Sequence, residues 1–140
     1  MFIPIASDHA GFELKQFVIS NLDDFLWEDK GCFSLDSVDY PDFAHPVASY
    51  ISAHPEEKAI LICGSGNGMQ ISANKHPNVR AALCWNKEIA ALARAHNNAN
   101  ILVLPARFIS KEEAIASISV FFNTSFENGR HEKRVEKINM

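Results

Sequence analysis

The stretch from Ile60 to Gly68 combines a reactive side chain with a glycine-rich backbone. An apolar run ends at Cys63, and glycines follow at alternate positions, beginning with Gly64 and Gly66. Glycine permits positive φ and leaves backbone N–H groups free to face a ligand. A helix that begins here would direct its positive end at the same place and lower the pKa of a nearby thiol. The stretch therefore indicates an anion-stabilising loop beside a cysteine that acts as a base or nucleophile.

Two other interpretations of the glycine loop have to be weighed. The spacing is G-x-G-x-G, whereas a dinucleotide fingerprint requires G-x-G-x-x-G. The fingerprint also requires an acidic residue about twenty positions further on, and the corresponding stretch here, Ala82–Trp85, contains none. The glycines could instead form a purely structural turn that lets a strand and a helix pack, and this interpretation is not excluded. Similarly, a single cysteine such as Cys63 is more often a small, buried apolar residue than a catalytic one. The position of Cys63 at the end of a strand, beside the loop, favours the functional interpretation.

The elements that must position this loop follow from the alternation of short apolar runs with helical patterns. The predicted strands cover residues 2–6, 25–27, 58–63, 79–84 and 100–104. Helices are predicted over residues 11–22, 41–53, 67–76 and 87–95, with Asn86 as an N-cap and Asn97 or Asn98 at the end of the fourth. Ser110 and Glu113 form a capping box for another helix, and a last helix follows Gly129.

Strand–helix alternation with apolar strands predicts an α/β fold with a parallel sheet covered on both faces. We expect a Rossmann-like, doubly wound, five-stranded sheet in a three-layer sandwich, formed by one domain over residues 1–140. Ligands of such sheets bind at the carboxyl ends of the strands. This rule selects Asp8 and His9, the loop at residues 63–68, and the segment after Cys84.

The other polar candidates each have a plain structural explanation beside the functional one. Asp8 can simply cap a helix, although His9 is not needed for that purpose. His96, near the end of a helix, fits the ordinary preference of such ends for cations and Asn. Arg130 and Arg134 share one face of the last helix and suit bidentate binding of a phosphate, but a solvated charged helix is the commoner explanation. Arg107, just after the fifth strand, has the same two explanations, phosphate binding or an ordinary surface charge.

The composition restricts the class of protein. The chain has 140 residues, of which 47% are hydrophobic and 21% charged, and its net charge is -4. This charge gives no electrostatic reason to expect nucleic acid or an anionic membrane as a partner. The three cysteines are an odd number without metal-ligand spacing, so we expect a reduced, cytoplasmic protein.

Several short motifs, taken together and in order, resemble the ribose-5-phosphate isomerase B family of sugar-phosphate isomerases. The resemblance extends from about residue 3 to residue 138. The motifs that carry it are SDHAGFELK from Ser7, DYP from Asp39, ICGSGNG from Ile62, SANK from Ser72, VRA from Val79, RAHNNAN from Arg94 and GRHEKRV from Gly129.

The resemblance implies interconversion of ribose 5-phosphate and ribulose 5-phosphate without a metal or an organic cofactor. It implies that Cys63 moves a proton between C2 and C1 of the opened sugar, with Ser65 handling protons on the sugar oxygens. It also implies that His96 opens the furanose ring, with Asp8 as a polar partner. The backbone N–H groups of the loop, at Gly64, Gly66, Asn67 and Gly68, would stabilise the cis-enediolate.

The remaining roles implied by the resemblance concern substrate binding and assembly. Asp39, Tyr40 and Asn97 would hold sugar hydroxyls, whereas His9, Arg107, Arg130 and Arg134 would bind the phosphate. The expected assembly is a homodimer or a homotetramer built as a dimer of dimers. Its sites are shared between subunits, and the C-terminal helix lies at the interface. The family usually has threonine where Ser65 stands, so the hydroxyl is kept without the methyl group.

Alternatives from other classes follow from the same residues. The substrate could be a 6-phosphorylated hexose, such as galactose or allose 6-phosphate. A binding module without catalysis would retain the pocket but would need neither Cys63 nor His96, and fold alone does not exclude it. A nucleotide-binding domain is disfavoured by the failed fingerprint.

Overall fold

The computed structural model describes residues 2–139, and its strands form a five-stranded sheet in the order β2-β1-β3-β5-β4. Every neighbouring pair is parallel. The strands are β1 (Ile3–Ser7), β2 (Trp27–Asp29), β3 (Ala59–Cys63), β4 (Ala81–Leu83) and β5 (Ile101–Pro105). The helices are α1 (Phe12–Asn21), α2 (Pro41–Ala53), α3 (Asn67–Ala73), α4 (Lys87–Asn97), α5 (Lys111–Asn123) and α6 (Arg130–Glu136), with 3₁₀ turns at His9–Gly11 and Lys137–Asn139.

Helices cover both faces of the sheet, because successive strand residues point to opposite faces. Ile60 and Ile62 pack in a cluster with α1, α4 and α5. Leu61 and Cys63 pack in a second cluster with α2 and α3. The predicted doubly wound, three-layer α/β fold is therefore confirmed. No helix within residues 2–139 is both long and apolar enough to cross a membrane.

Three central strands end at the same edge of the sheet. Ser7 pairs with Ile62, and Cys63 pairs with Pro105. The segments that follow β1, β3 and β5 are then tied together by backbone hydrogen bonds. The Asp8 N–H donates to the carbonyl of Ile62 at 3.2 Å, and the Arg107 N–H donates to the carbonyl of Gly64 at 3.0 Å. This edge positions the first group of candidate residues.

Strand β2 lies two residues later than the apolar pattern predicted, so the expectation of residues 25–27 was wrong. Phe25 packs against Phe122 of α5 instead, and the indole of Trp27 donates to the carbonyl of Leu22. The polar Asp29 is accommodated in this edge strand because the buried Lys15 ammonium pairs with it at 2.6 Å.

Helix α3 ends at Ala73, three residues earlier than predicted, and β4 is confined to residues 81–83. The cause is Asn74, whose side-chain amide donates to the carbonyl of Ala81 and accepts from its N–H, at 2.9 and 2.8 Å. Since β4 is the edge of the sheet, this residue covers backbone groups that would otherwise be unpaired.

The caps around α4 and α5 were predicted in part. Asn86 accepts from the Ile89 N–H and Ser110 accepts from the Glu113 N–H, as expected. The second half of the capping box was wrong, because the Glu113 carboxylate accepts from the N–H of Lys87 and so links α5 to α4. Helix α4 extends to Asn97 and ends at Asn98, whose φ is 49°.

Candidate active site

Cys63 and the glycine loop form one wall of a cleft at the carboxyl edge of the sheet. The cleft has a volume of about 420 Å³. Its lining residues come from the ends of three strands and the start of α2. They are Asp8, His9, Ala10, Tyr40, Cys63, Gly64, Ser65, Gly68, Arg107 and Phe108. We call this the thiol cleft.

The glycines of the loop are needed for close packing as well as for backbone shape. A Cβ on Gly64 would lie 3.0 Å from the Arg107 guanidinium, and one on Gly68 would lie 2.5 Å from the Tyr40 ring. Gly66 has a φ of 81°, which disfavours residues with a side chain. These glycines therefore allow Arg107 and Tyr40 to approach the loop directly.

Asp8 combines the two interpretations that its sequence position left open. It is buried, with 6% of its surface exposed, and its Oδ1 accepts from the Gly11 N–H at 3.1 Å. The capping explanation is thus confirmed, and the same residue also lines the thiol cleft.

His9 is oriented by a loop that is distant in sequence. Its Nδ1 accepts a hydrogen bond from the Val38 N–H at 3.1 Å. An imidazole that accepts at Nδ1 carries its proton on Nε2 when neutral, so Nε2 is the nitrogen left to donate to a ligand.

Of the other residues predicted near the sugar, some line this cleft and some lie beside it. The Ser65 hydroxyl is exposed and accepts from the Asn67 N–H at 3.3 Å. Asp39 is exposed immediately before Tyr40, at the start of α2. Gly66, Asn67 and Asp39 are not among the lining residues of the thiol cleft.

A second cleft contains most of the remaining predicted residues. It lies between the end of α4 and the C-terminal helices and has a volume of about 400 Å³. Its lining residues are His96, Asn97, His131, Arg134, Val135 and Ile138. We call this the histidine cleft. Arg130, also predicted to bind phosphate, is exposed at the start of α6 and is not among them.

The imidazoles of His96 and His131 stack in the histidine cleft, with ring centroids 4.1 Å apart and planes inclined by 13°. The Nε2 atoms of both rings lie 3.7 Å from Oε1 of Glu127. Burial, followed by the neighbouring His96 and Arg130, lowers the pKa of His131, whereas Glu127 opposes this shift. The neutral form of His131 is therefore favoured.

This trio is also the group of potential metal ligands within residues 2–139, since its ligand atoms lie within 4.8 Å of one another. Two nearly parallel rings direct their in-plane nitrogen lone pairs side by side, whereas ligands of one tetrahedral ion must converge on it. The stacked arrangement fits a metal ion poorly.

The thiol cleft and the histidine cleft have no lining residue in common. The predicted residues therefore divide into two groups within one chain. Cys63, Asp8, His9 and Arg107 are brought together, and His96, Asn97 and Arg134 are brought together elsewhere. Neither cleft alone contains all the groups that the resemblance implies.

Comparisons with known proteins identify the family of this chain. The family model described as Ribose/Galactose Isomerase matches residues 3–138. The chain belongs to the ribose/galactose isomerase family. A protein of Mycoplasma pneumoniae named probable ribose-5-phosphate isomerase B is 46% identical over 139 residues, covering 97% of this chain and 91% of that protein.

Solved structures of ribose-5-phosphate isomerase B superpose along nearly the whole chain. The Thermotoga maritima structure has a TM-score of 0.94 and 49% identity, covering 99% of this chain and 97% of that one. The Mycoplasma genitalium structure, which contains bound ribulose 5-phosphate, has a TM-score of 0.94 and 42% identity, covering 98% and 93%.

In this member of the ribose/galactose isomerase family, sequence reasoning missed one residue that lines the histidine cleft and one that lies beside it. Glu127 was not singled out, and His131 was quoted within a motif without a role. No local sequence signal identifies Glu127, because it lies before α6 and approaches the two histidines only through the tertiary structure. Phe108, in the thiol cleft, was also missed, since one exposed aromatic residue after a strand is an ordinary observation.

Proposed function

We propose that this chain is an aldose–ketose isomerase that interconverts ribose 5-phosphate and ribulose 5-phosphate, with Cys63 as the base. The observation that carries the proposal is the position of the Cys63 thiol in a cleft beside the bare glycine loop. Membership of the family supports the reaction class, and the structural neighbour with bound ribulose 5-phosphate supports the substrate.

The chemistry requires one proton to move between neighbouring carbons. In the open aldose, the Cys63 thiolate removes the proton from C2, and the electron pair forms the C1–C2 double bond of a cis-enediolate. The backbone N–H groups of the loop stabilise the negative charge that develops on oxygen. The thiol returns the proton to C1, and Ser65 carries a proton between O1 and O2.

Phosphate binding at a distance holds the reacting carbon against the base. His9 and Arg107 supply donors on the thiol cleft: the His9 ring is oriented by the Val38 N–H, and the backbone of Arg107 is held by its hydrogen bond to the Gly64 carbonyl. Arg134 lines the histidine cleft, and Arg130 lies at the start of the same helix. Asp39, Tyr40 and Asn97 are proposed to hold sugar hydroxyls, and Asp8 is proposed to assist His96.

The division of these groups between two clefts supports an active site shared by two copies of the chain. In this proposal the histidine cleft of one subunit faces the thiol cleft of its partner, with α6 at the interface of a homodimer or a dimer of dimers. His96 then opens the furanose ring of a sugar whose C2 lies beside the partner's Cys63. The whole chain, residues 1–140, acts as one domain, and its three free thiols favour the reducing cytoplasm.

The decisive experiment is isomerisation of ribose 5-phosphate by the purified chain in EDTA, compared with Cys63→Ala and Cys84→Ala. Loss of the base is expected to reduce kcat about 10²–10⁴-fold. Cys84 is buried in the α1/α4/α5 cluster and lines neither cleft, so its variant should retain activity. Near-normal kcat in Cys63→Ala would exclude the base assignment.

A second candidate substrate is a 6-phosphorylated hexose, since the matching family model covers galactose isomerases as well as ribose isomerases. Galactose and allose 6-phosphates should be tested beside ribose 5-phosphate under the same conditions. A higher kcat/KM for a hexose would replace the pentose assignment and leave the mechanism unchanged. Binding of ribose 5-phosphate without turnover, unaltered by Cys63→Ala, would instead support a binding module.

A further inference from the structure

Glu127 lies beside two lining residues of the histidine cleft, and the proposed mechanism does not yet use it. Its Oε1 lies 3.7 Å from Nε2 of His96 and 3.7 Å from Nε2 of His131. These distances are longer than a hydrogen bond, so the carboxylate acts as a nearby negative charge shared by the two rings. A negative charge at this distance stabilises an imidazole when it carries a second proton.

The segment that carries Glu127 is fastened to the helix that carries His96. The Glu127 N–H donates to the carbonyl of Ala95 at 3.0 Å. Arg94, which is 7% exposed, donates from Nε to the carbonyl of Thr124 at 3.2 Å and from Nη1 to the carbonyl of Ala99 at 2.7 Å. These bonds fix the backbone of Glu127 beside the end of α4, and its side chain, which is 59% exposed, approaches His96 from that position.

His131 restricts the same imidazole from its face. His131 is buried, with 8% of the residue exposed, and its ring lies nearly parallel to that of His96, so it limits rotation of the His96 ring about its own bonds. The carboxylate approaches the edge of His96 while the second ring covers its face. Together the two contacts define both the plane and the edge of the imidazole.

We propose that Glu127 is a positioning residue that, with the stacked His131, holds the His96 imidazole in the orientation that opens the furanose ring. This inference rests on the proposed function. Ring opening breaks the C1–O4 bond: its electron pair goes to O4, which takes a proton from His96. The O1–H electron pair forms the C1=O bond, and the O1 proton passes back to the imidazole. The net change is one proton moved from O1 to O4.

The chemistry of the two sugars separates ring opening from enediolate formation. Ribulose 5-phosphate has no free hydroxyl on C5, so it does not form a furanose ring. Exchange of its C1 hydrogen with deuterium from D₂O requires only removal and return of a proton beside the carbonyl. That exchange depends on the thiol cleft, whereas turnover of cyclic ribose 5-phosphate depends on His96 as well.

The test compares Glu127→Gln with Glu132→Gln, a matched change at an exposed carboxylate on α6 that forms no ion pair within residues 2–139. Glu127→Gln is expected to lower kcat for ribose 5-phosphate roughly tenfold, as misplacement of a reacting group does. Deuterium exchange into ribulose 5-phosphate, followed by proton NMR, should stay within about twofold of wild type. Glu132→Gln should leave both rates unchanged.

Two results would overturn the inference. Unchanged turnover in Glu127→Gln would show that the carboxylate does not act on His96. Equal loss of turnover and exchange would show a general structural role instead. If the wild-type protein shows neither turnover nor exchange, the proposed function itself is overturned. This failure is distinguishable from failure of the Glu127 inference because it is measured on the wild-type protein alone.

Discussion

The thiol cleft and the histidine cleft differ in which parts of the chain line them. The thiol cleft is lined by strand ends and a glycine loop whose backbone atoms are fixed by the register of β1, β3 and β5. The histidine cleft is lined by side chains at the end of α4 and on α6, and Arg134 is exposed there. Stabilisation of an oxyanion benefits from rigid backbone donors. Binding of a phosphate, by contrast, can rely on charged side chains that are placed by contact with a second chain.

The largest expected effect tests whether the two clefts form one site. Cys63→Ala and His96→Ala chains should each be nearly inactive as purified proteins. After subunit exchange, each mixed pair contains one intact site, so random mixing should restore about a quarter of the wild-type activity in a two-fold assembly. The measurement is ribose 5-phosphate turnover before and after exchange. Mixed oligomers without recovered activity would place both groups in a site within one chain.

The next largest effect concerns the binding of phosphate by Arg134 in the histidine cleft. Arg134→Ala removes a charged donor to phosphate and should lower kcat/KM about 10- to 100-fold. Arg134→Lys keeps the charge but loses the planar fork and should be intermediate. Lys133→Ala, a neighbouring exposed residue on α6, is the control. Steady-state kinetics with unchanged kcat/KM in Arg134→Ala would remove Arg134 from substrate binding.

A smaller effect tests the rigidity attributed to the thiol cleft. A Cβ on Gly11 would lie 2.7 Å from the carbonyl oxygen of Ile62, which is backbone of the central strand β3. Gly11→Ala should therefore reduce the free energy of unfolding by about 1–3 kcal/mol. Urea denaturation measures the change, with Ser20→Ala at the exposed end of α1 as the control. A change below about 0.5 kcal/mol would contradict a rigid edge.

The smallest expected effect is a pH dependence of the unfolding free energy, and its source is a residue that lines neither cleft. Burial raises the pKa of Cys84 to about 12 from its ordinary value of 9.0. The folded state therefore favours the neutral thiol, and the associated stability is present below pH 9 and is lost as the pH rises toward 12. Between pH 8 and 10, wild type should lose about 1.4 kcal/mol more unfolding free energy than Cys84→Ala. Equal losses would show that Cys84 ionises freely.

The thiol cleft was largely predictable from the sequence because general rules locate it. The apolar run before Cys63 identifies a strand, the glycines identify a turn, and parallel sheets bind ligands at strand ends. The place of Arg107 beside Gly64 required the register of β3 and β5, which no local pattern reveals. Strand β2 was misplaced because Phe25 is apolar for a different reason, its packing against Phe122.

The histidine cleft was predictable only through the resemblance to a family. A histidine near a helix end and two arginines on one helix face are common in proteins of any function. Glu127 lies outside the helices, and its contact with His96 follows from the hydrogen bonds of the buried Arg94. Such a contact depends on tertiary structure, so neither composition nor periodicity could have indicated it.

The packing of the glycine loop also decides where substrate range can change. A Cβ on Gly68 would overlap the Tyr40 ring, and one on Gly64 would press on the Arg107 guanidinium at 3.0 Å. Libraries aimed at longer sugars should therefore keep the loop and vary residues 33–39, where Phe33, Leu35 and Asp39 are exposed. In this chain, the loop is thus the fixed part of the proposed active site, and the segment before α2 is the part that can be varied.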